Sequence, residues 1–217
     1  GGEDGGGDAM NNLLNVNTIL FVVLGYSMSY IEFFGTVLTG FSVYLTARNR
    51  IASWPIGILG VILYGFLFYQ IQLYSDLLEQ GYYLVTGFWG WWLWAYGNKG
   101  GVLPISRNSR MANIVSSLIV LIGGFGLGWT MTNVHSLGIA PASFPYLDAI
   151  TTVASFTANY LLVRRRIESW YLWIGVDVIG VWLYWVKGVP FLSLLYFAFL
   201  INAIWGYRRW KAEYEAL

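Results

Sequence analysis

Cysteine is absent from all 217 residues. That excludes disulfides, zinc–thiolate sites and cysteine nucleophiles, and it leaves the redox compartment open. Charge is scarce: 11% of residues are Asp, Glu, Lys or Arg, where soluble domains carry about 25%. The shortfall points to a bilayer, and no polar stretch is long enough to form a soluble domain. A net charge of +1 offers nothing to a nucleic acid. The single histidine, His135, falls in a connecting segment. No Ser-His-acid set and no metal-binding cluster can therefore be assembled within the apolar stretches, which argues against an intramembrane hydrolase. No metal or cofactor is expected. No Lys or Arg lies deep in an apolar run, so no phosphate clamp is evident. No Walker-type loop is present, so no internal ATP engine is expected.

What the chain does have is apolar and aromatic: 57% hydrophobic and 19% aromatic, with 12 Trp. It also repeats itself. Arg50-Ile51-Ala52-Ser53-Trp54 returns as Arg166-Ile167-Glu168-Ser169-Trp170, an offset of 116 residues. Trp89-Gly90-Trp91 returns as Trp205-Gly206-Tyr207, Tyr44 falls on Tyr160, Glu32 on Asp148 and Trp94 on Trp210. Residues 32–94 align with 148–210 without a gap, and roughly a quarter of the positions are identical. Duplicated apolar units in one chain are a common transporter architecture, with the substrate site at the repeat interface.

A spanning helix needs about 20 mostly apolar residues. The spacing of charges predicts helices over 29–48, 54–74, 77–97, 112–133, 145–163, 169–187 and 191–210. The fold class is thus an all-α membrane protein with seven transmembrane helices arranged 3+1+3. A first triple-helix repeat spans 29–97, a linker helix 112–133 and a second repeat 145–210. Three helices reverse the chain and the linker reverses it again, so both repeats start on the same side and are parallel. Arg48, Arg50, Lys99, Arg107, Arg110, Arg164, Arg165, Arg166, Arg208, Arg209 and Lys211 then share one side, and Lys187 alone lies on the other. The positive-inside rule places the C-terminus in the cytoplasm and the N-terminus outside. Residues 1–28 comprise an acidic, glycine-rich tail and an apolar segment, 16–28. The tail lacks the basic n-region of a signal peptide. The segment is expected to be an interfacial helix or an extension of the first span.

Gly123-Gly124-Phe125-Gly126-Leu127-Gly128 is no dinucleotide-binding turn, because no strand precedes it. Gly124 and Gly128 form a small-xxx-small pair for close packing against a repeat or another subunit.

Asp177 is the sharpest single residue. It stands near the middle of the sixth span, where a carboxylate costs several kcal/mol unless it meets a cavity or partner. A structural hydrogen bond is the competing role. Trp170, Trp173, Asp177, Gly180 and Tyr184 follow three-four spacing and share one helical stripe. Two indoles, an acid and a phenol suit a flat, polar, cationic ligand; an interfacial aromatic belt is the other reading. The first copy has Trp54, Gly57, Val61 and Tyr64 in register, without the deep Trp or the Asp. A ligand is therefore held mostly by the second repeat. Gln80 opens the third span, and Asn202 in the seventh matches Thr86. Their donors and acceptors suit sugar hydroxyls or a carboxamide, or serve interhelical bonds.

Together, Tyr74-Ser75-Asp76 with Gln80, Gly90-Trp91 with Trp94, Trp170-x-x-Trp173-x-x-x-Asp177, Lys187-Gly188, Asn202 and Gly206-Tyr207 with Trp210 resemble the PnuC family of bacterial vitamin transporters. The resemblance covers about residues 30–211. It implies two parallel triple-helix bundles and a linker, as in the SWEET sugar transporters. It also implies nicotinamide riboside uptake across a bacterial inner membrane by facilitated diffusion, with trapping by a separate cytoplasmic kinase. Trp170, Trp173, Asp177, Gln80 and Asn202 map to the family's binding region. Thr86 departs from the Asn expected in many relatives. Thiamin or riboflavin transport, a proton-coupled carrier using Asp177, and a receptor or scaffold without flux are the alternative readings. A homo-oligomer is left open.

Overall fold

The structure, a computed structural model, describes residues 12–98, 101–133 and 144–216. The acidic tail (residues 1–8), Lys99 and His135 lie outside the described residues.

Residues 16–28 are not helical. Two antiparallel strands, β1 (Ile19–Val23) and β2 (Tyr26–Ser29), form a hairpin. This corrects both expectations for the segment, an interfacial helix and an extension of the first span, and adds a small sheet to an otherwise helical fold. The physical reason lies in the sequence. Ile19-Leu20-Phe21-Val22-Val23 is rich in β-branched and aromatic residues. Leu24 and Gly25 take positive φ, 50° and 78°, as the central residues of a tight hairpin turn do.

Seven helices follow among the described residues: α1 (Tyr30–Ala47), α2 (Ser53–Gln70), α3 (Tyr74–Tyr96), α4 (Arg110–Asn133), α5 (Pro145–Val163), α6 (Ser169–Val186) and α7 (Pro190–Glu215). Ser29 caps α1 by accepting from the Glu32 N–H, and Ser109 caps α4 by accepting from the Ala112 N–H. Pro145 and Pro190 open α5 and α7, where a missing N–H costs nothing. α2 ends at Gln70, earlier than expected, because Gln72 takes a left-handed φ of 60°. α7 runs five residues past its apolar stretch. The extension is stabilised by ion pairs one turn apart, Arg209–Glu213 at 3.1 Å and Lys211–Glu215 at 3.8 Å.

Four helices, α2, α4, α6 and α7, are long and apolar enough to cross a membrane by length and composition. The others carry more polar residues, among them Glu32 on α1, Asp76 and Glu79 on α3, and Asp148 and Asn159 on α5. Many large apolar side chains face outward, such as Leu78 (77% exposed) and Ile122 (69%). That surface suits lipid rather than water.

The duplication reaches the backbone. α2 and α6 start at Ser53 and Ser169, and α3 and α7 at Tyr74 and Pro190, each pair 116 residues apart. The left-handed positions Asn49 and Arg165 match at that offset, as do Gln72 and Gly188. Among the described residues α1 packs on α2, α2 on α3, α3 on α5, α5 on α6, α6 on α7 and α7 on α1, which closes a ring of six helices. α4 packs on α5. A Cβ on Gly124 would come within 2.6 Å of Ile150, and one on Gly128 within 2.5 Å of Tyr146. The small-residue pair therefore seats α4 on α5 of the same chain.

Candidate functional site: a buried carboxylate on an aromatic stripe

The ring has two different ends. At the basic end, where the α1–α2 and α5–α6 connections lie, four tryptophans fill the core: Trp54, Trp94, Trp170 and Trp210. Trp54 meets Trp94 edge-on at 5.3 Å, and Trp170 meets Trp210 edge-on at 5.4 Å. The two pairs are equivalent across the repeat. Arg165 lies over the Trp94 ring at 4.4 Å. Its guanidinium donates to the Asn49 side-chain oxygen at 2.8 Å and to the Leu103 carbonyl. Burial lowers its pKa to about 10, so it stays charged at neutral pH. Asn49 in turn donates to Glu213 at 2.8 Å. The α3–α4 connection closes over this end by pairing with the α5–α6 connection, with Ser106 N–H to Arg165 O at 3.0 Å and Ile167 N–H to Ser106 O at 3.1 Å.

The core carries a built-in weakness. The hydroxyls of Ser53 and Ser169 and the indole nitrogens of Trp54 and Trp170 are buried with no hydrogen-bond partner among the described residues. Each such group costs about 1–3 kcal/mol. The closed basic end is thus held less tightly than its packing alone implies.

At the other end the hairpin folds over the ring. Tyr26 stacks on Phe191 of α7 at 5.4 Å and its hydroxyl donates to Glu32 of α1. It also lies within electrostatic reach of Tyr64 on α2 and Tyr184 on α6. Burial first, then the Glu32 carboxylate, pushes its phenol well above the ordinary value, so it remains a donor. Gln70 ties the preceding segment down, accepting from the Val16 N–H at 3.1 Å and donating to the Leu14 carbonyl at 2.7 Å.

Between these ends stands Asp177. It is 5% exposed, and its side chain makes no hydrogen bond or ion pair among the described residues. Trp173, four residues earlier, is half-buried beside the tryptophan core. Tyr184, seven residues later, stacks on Tyr196 of α7 at 5.2 Å and 22°. Gly180 makes room, because a Cβ there would collide with the Tyr196 ring. Tyr196 is within electrostatic reach of both Asp177 and Tyr83. Lys187 lies 5.8 Å from the Tyr184 ring centre and pairs with Asp148 at 3.7 Å. The space around Asp177 is therefore aromatic, hydroxyl-bearing and short of cations.

The other residues singled out in the sequence are placed as follows. Trp170 is 2% exposed and committed to the core. Thr86 is buried, accepting from the Asn159 amide at 2.8 Å and donating to the Tyr82 carbonyl at 2.8 Å. Asn202 donates to the Val43 carbonyl at 3.2 Å. Val43 and Asn159 are themselves repeat equivalents, so both bonds tie a third helix of one repeat to the first helix of the other. Gln80 is half-buried and makes no side-chain hydrogen bond among the described residues. Tyr196 occupies its equivalent position, 116 residues on. Sequence reasoning missed Tyr196, Asn159 and Glu79, whose carboxylate accepts from the Thr152 hydroxyl at 3.4 Å. The available signals were the repeat register for Tyr196 and the in-span amide and carboxylate for the others.

A family model described as nicotinamide mononucleotide transporter matches residues 29–212. The chain belongs to that family. Similar members include the nicotinamide riboside transporter PnuC of Escherichia coli (strain K12), 28% identical over 86% of this chain and 87% of that one. The PnuC of Haemophilus influenzae (strain ATCC 51907 / DSM 11121 / KW20 / Rd) is 26% identical over 77% and 73%. The riboflavin/roseoflavin transporter RibM of Streptomyces davaonensis is 25% identical over 90% and 91%. The crystal structure of the vitamin B3 transporter PnuC aligns with a TM-score of 0.65 at 22% identity, over 97% of this chain and 88% of that one. This chain is thus a PnuC-family, multi-pass membrane transporter, and the family's solved fold is its fold.

Proposed function

We propose that this protein carries nicotinamide riboside across a bacterial inner membrane. The observation that carries the reading is Asp177. A carboxylate only 5% exposed, with no hydrogen bond or ion pair among the described residues, on a stripe with Trp173 and Tyr184, suits a ligand bearing a cationic aromatic ring and hydroxyls. Nicotinamide riboside has a pyridinium, a carboxamide and a ribose. The mononucleotide named in the family description adds a phosphate. The basic residues in the described part of the chain stand at helix ends and connections, so no clamp is offered to that group, and the riboside is favoured.

The architecture proposed is 3+1+3: α1–α3 and α5–α7 as parallel triple-helix units, α4 as linker, seven spans in all. The N-terminus lies outside and the basic end faces the cytoplasm. Transport is facilitated diffusion by rocking of the two units about the site, and phosphorylation by a separate cytoplasmic kinase traps the product. The protein is a carrier, not an enzyme. Trp173, Asp177, Tyr184 and Gln80 bind substrate. Trp170, Thr86 and Asn202 support them through the core and the unit-to-unit bonds.

Isothermal titration of the purified protein tests this, with the riboside beside its 5′-phosphate, thiamin and riboflavin. Saturable binding of the riboside alone is expected. Tighter binding of riboflavin would move this chain's cargo to that named for the RibM relative. Binding of the phosphate form at equal affinity would refute the argument from the missing clamp.

The buried Asp177, without an ion pair among the described residues, also favours a second reading, a proton-coupled carrier in which this carboxylate titrates. Uptake into vesicles that depends on a pH gradient would establish it.

A further inference from the structure

We propose that the groove between α4 and α5 is a binding site for an anionic phospholipid. The groove encloses about 570 Å³ at the basic end of the bundle. Its walls include Ser116 and Ile119 of α4 and Phe156 and Thr157 of α5, and Arg164 and Arg166 stand at its rim. An apolar trough of about 380 Å³ continues from it along α4 past Leu118 and Ile122, sharing Val115 and Ile119. One end is cationic and polar, and the other is entirely apolar. That is the shape of an amphiphile with a negative head.

The local sequence explains both halves. Residues 101–116 and 156–168 contain five arginines, Arg107, Arg110, Arg164, Arg165 and Arg166, against one acid, Glu168. Glu168 is taken up by Arg107 at 3.6 Å and by the Asn108 N–H at 3.0 Å. Arg165 turns inward onto Trp94. Arg164 donates to the Tyr160 hydroxyl at 2.9 Å and has no ion pair among the described residues. An uncompensated positive rim therefore faces the lipid headgroup region. The trough runs along a π-helical turn of α4, Ile119–Gly123, a local departure from regular helix. Basic pockets between helices at the headgroup level hold anionic lipids by this combination. A free phosphate would satisfy the rim but not the trough. Which leaflet supplies the lipid rests on the orientation proposed above; the groove itself does not.

The duplication supplies an internal control. Arg48 donates to Tyr44 at 3.2 Å, and the guanidinium lies 5.8 Å from the ring centre, as Arg164 does from Tyr160. Tyr44 meets Trp205 at 5.7 Å as Tyr160 meets Trp89 at 5.9 Å, so the two settings differ in α4, which packs on α5 of the second repeat.

Native mass spectrometry of the full chain in a neutral detergent tests the proposal. Phosphatidylglycerol and phosphatidylethanolamine with identical acyl chains are added, with inorganic phosphate as a third arm. Phosphatidylglycerol should be retained about fivefold over phosphatidylethanolamine. Arg164→Gln should abolish that preference. Ser116→Trp, which fills the groove without changing charge, should reduce retention of both lipids, and Arg48→Gln should change nothing. Equal retention of the two lipids in the wild type, or equal effects of Arg164→Gln and Arg48→Gln, would overturn the site. Displacement of the lipid by inorganic phosphate would reduce it to a bare anion site. A dimer or trimer that Ser116→Trp dissociates would assign the groove to a second copy instead. None of these readouts needs riboside binding, so failure here and failure of the transport reading are separable.

Discussion

Trp94 and Trp210 exchange hydrogen bonds between the two repeats. Trp94 on α3 donates to the carbonyls of Leu162 at 3.2 Å and Val163 at 3.1 Å, at the end of α5. Trp210 on α7 donates to the carbonyl of Thr46 at 3.1 Å, at the end of α1. Thr46 and Leu162 are themselves 116 residues apart. The last carbonyls of a helix lack partners within it; those of Thr46 and Leu162 also accept from the N–H groups of Asn49 at 2.8 Å and Arg165 at 2.9 Å, so the indoles add second bonds that link the repeats. The rocking proposed above, if it parts the repeats at the basic end, must break both ties.

Trp210→Phe removes one tie, while the Thr46 carbonyl keeps the Asn49 N–H at 2.8 Å, at a cost of about 0.5–1.5 kcal/mol. The melting temperature in detergent should fall. Opening can be read separately because the chain has no native cysteine. A thiol introduced by Ala203→Cys, a position 2% exposed, should react slowly in the parent and faster with Trp210→Phe added. Lower melting with unchanged reactivity would show that the bond supports the fold without holding this end shut.

Gly206 faces the Trp170 ring, with a hypothetical Cβ within 2.7–2.9 Å of three ring carbons. Gly206→Ala should therefore destabilise by about 1–3 kcal/mol through overpacking. Gly175→Ala, on the same helix as Trp170 but with open space at its Cβ, should be neutral or stabilising, since alanine is the better helix former. Thermal melting of the pair checks this; equal shifts would refute the close approach.

Trp173→Ala should weaken riboside binding by about 1–3 kcal/mol if its ring stacks on the ligand. Asp177→Asn should cost less if the carboxylate chiefly orders neighbouring groups. Titration calorimetry measures both. Unchanged affinity for Trp173→Ala would remove that ring from the site.

Asp177 also decides between two transport modes. Under facilitated diffusion, riboside equilibrates into vesicles at the same rate with and without a pH gradient, in wild type and in Asp177→Asn. Accumulation driven by the gradient and lost in Asp177→Asn would require proton coupling.

Thr86 and Asn159 form an interhelical bond of the kind worth about 0.6 kcal/mol on average. A double-mutant cycle of Thr86→Val and Asn159→Leu should return a coupling energy of about that size in stability. Titration of the same variants should show riboside affinity lowered less than by Trp173→Ala, since Thr86 acts through its bond to Asn159. A large affinity loss in Thr86→Val alone would place that hydroxyl in the site.

Much of the fold was legible in the chain. The spacing of charges placed the starts of α2, α6 and α7 within a residue of Ser53, Ser169 and Pro190 but set α3 late, since it begins at Tyr74; the gapless 116-residue register, read as a duplication, recurs in the left-handed turns at Asn49 and Arg165. The hairpin was misread because Phe21, Val22 and Val23 are as apolar as a span. Only their β propensity and the Leu24-Gly25 turn distinguish them, a short-range signal that hydropathy averages away. In the candidate site, Asp177 stood out because an ionisable group among apolar residues is costly wherever it lies. Tyr196 did not, because it reaches Tyr184 from a neighbouring helix.

The sequence alone was enough for membrane character, duplication, the scarcity of cations near the apolar centre and the identity of the aromatic stripe. Those follow from composition and from periodicity along one helix. Tertiary structure alone decided that Trp170 belongs to the core while Trp173 stays half-buried, and that Thr86 and Asn202 bond to the opposite repeat. It also decided that the hairpin covers one end of the ring. Each depends on distances between helices that are far apart in the chain, set by which side chains interlock, and no local pattern encodes that.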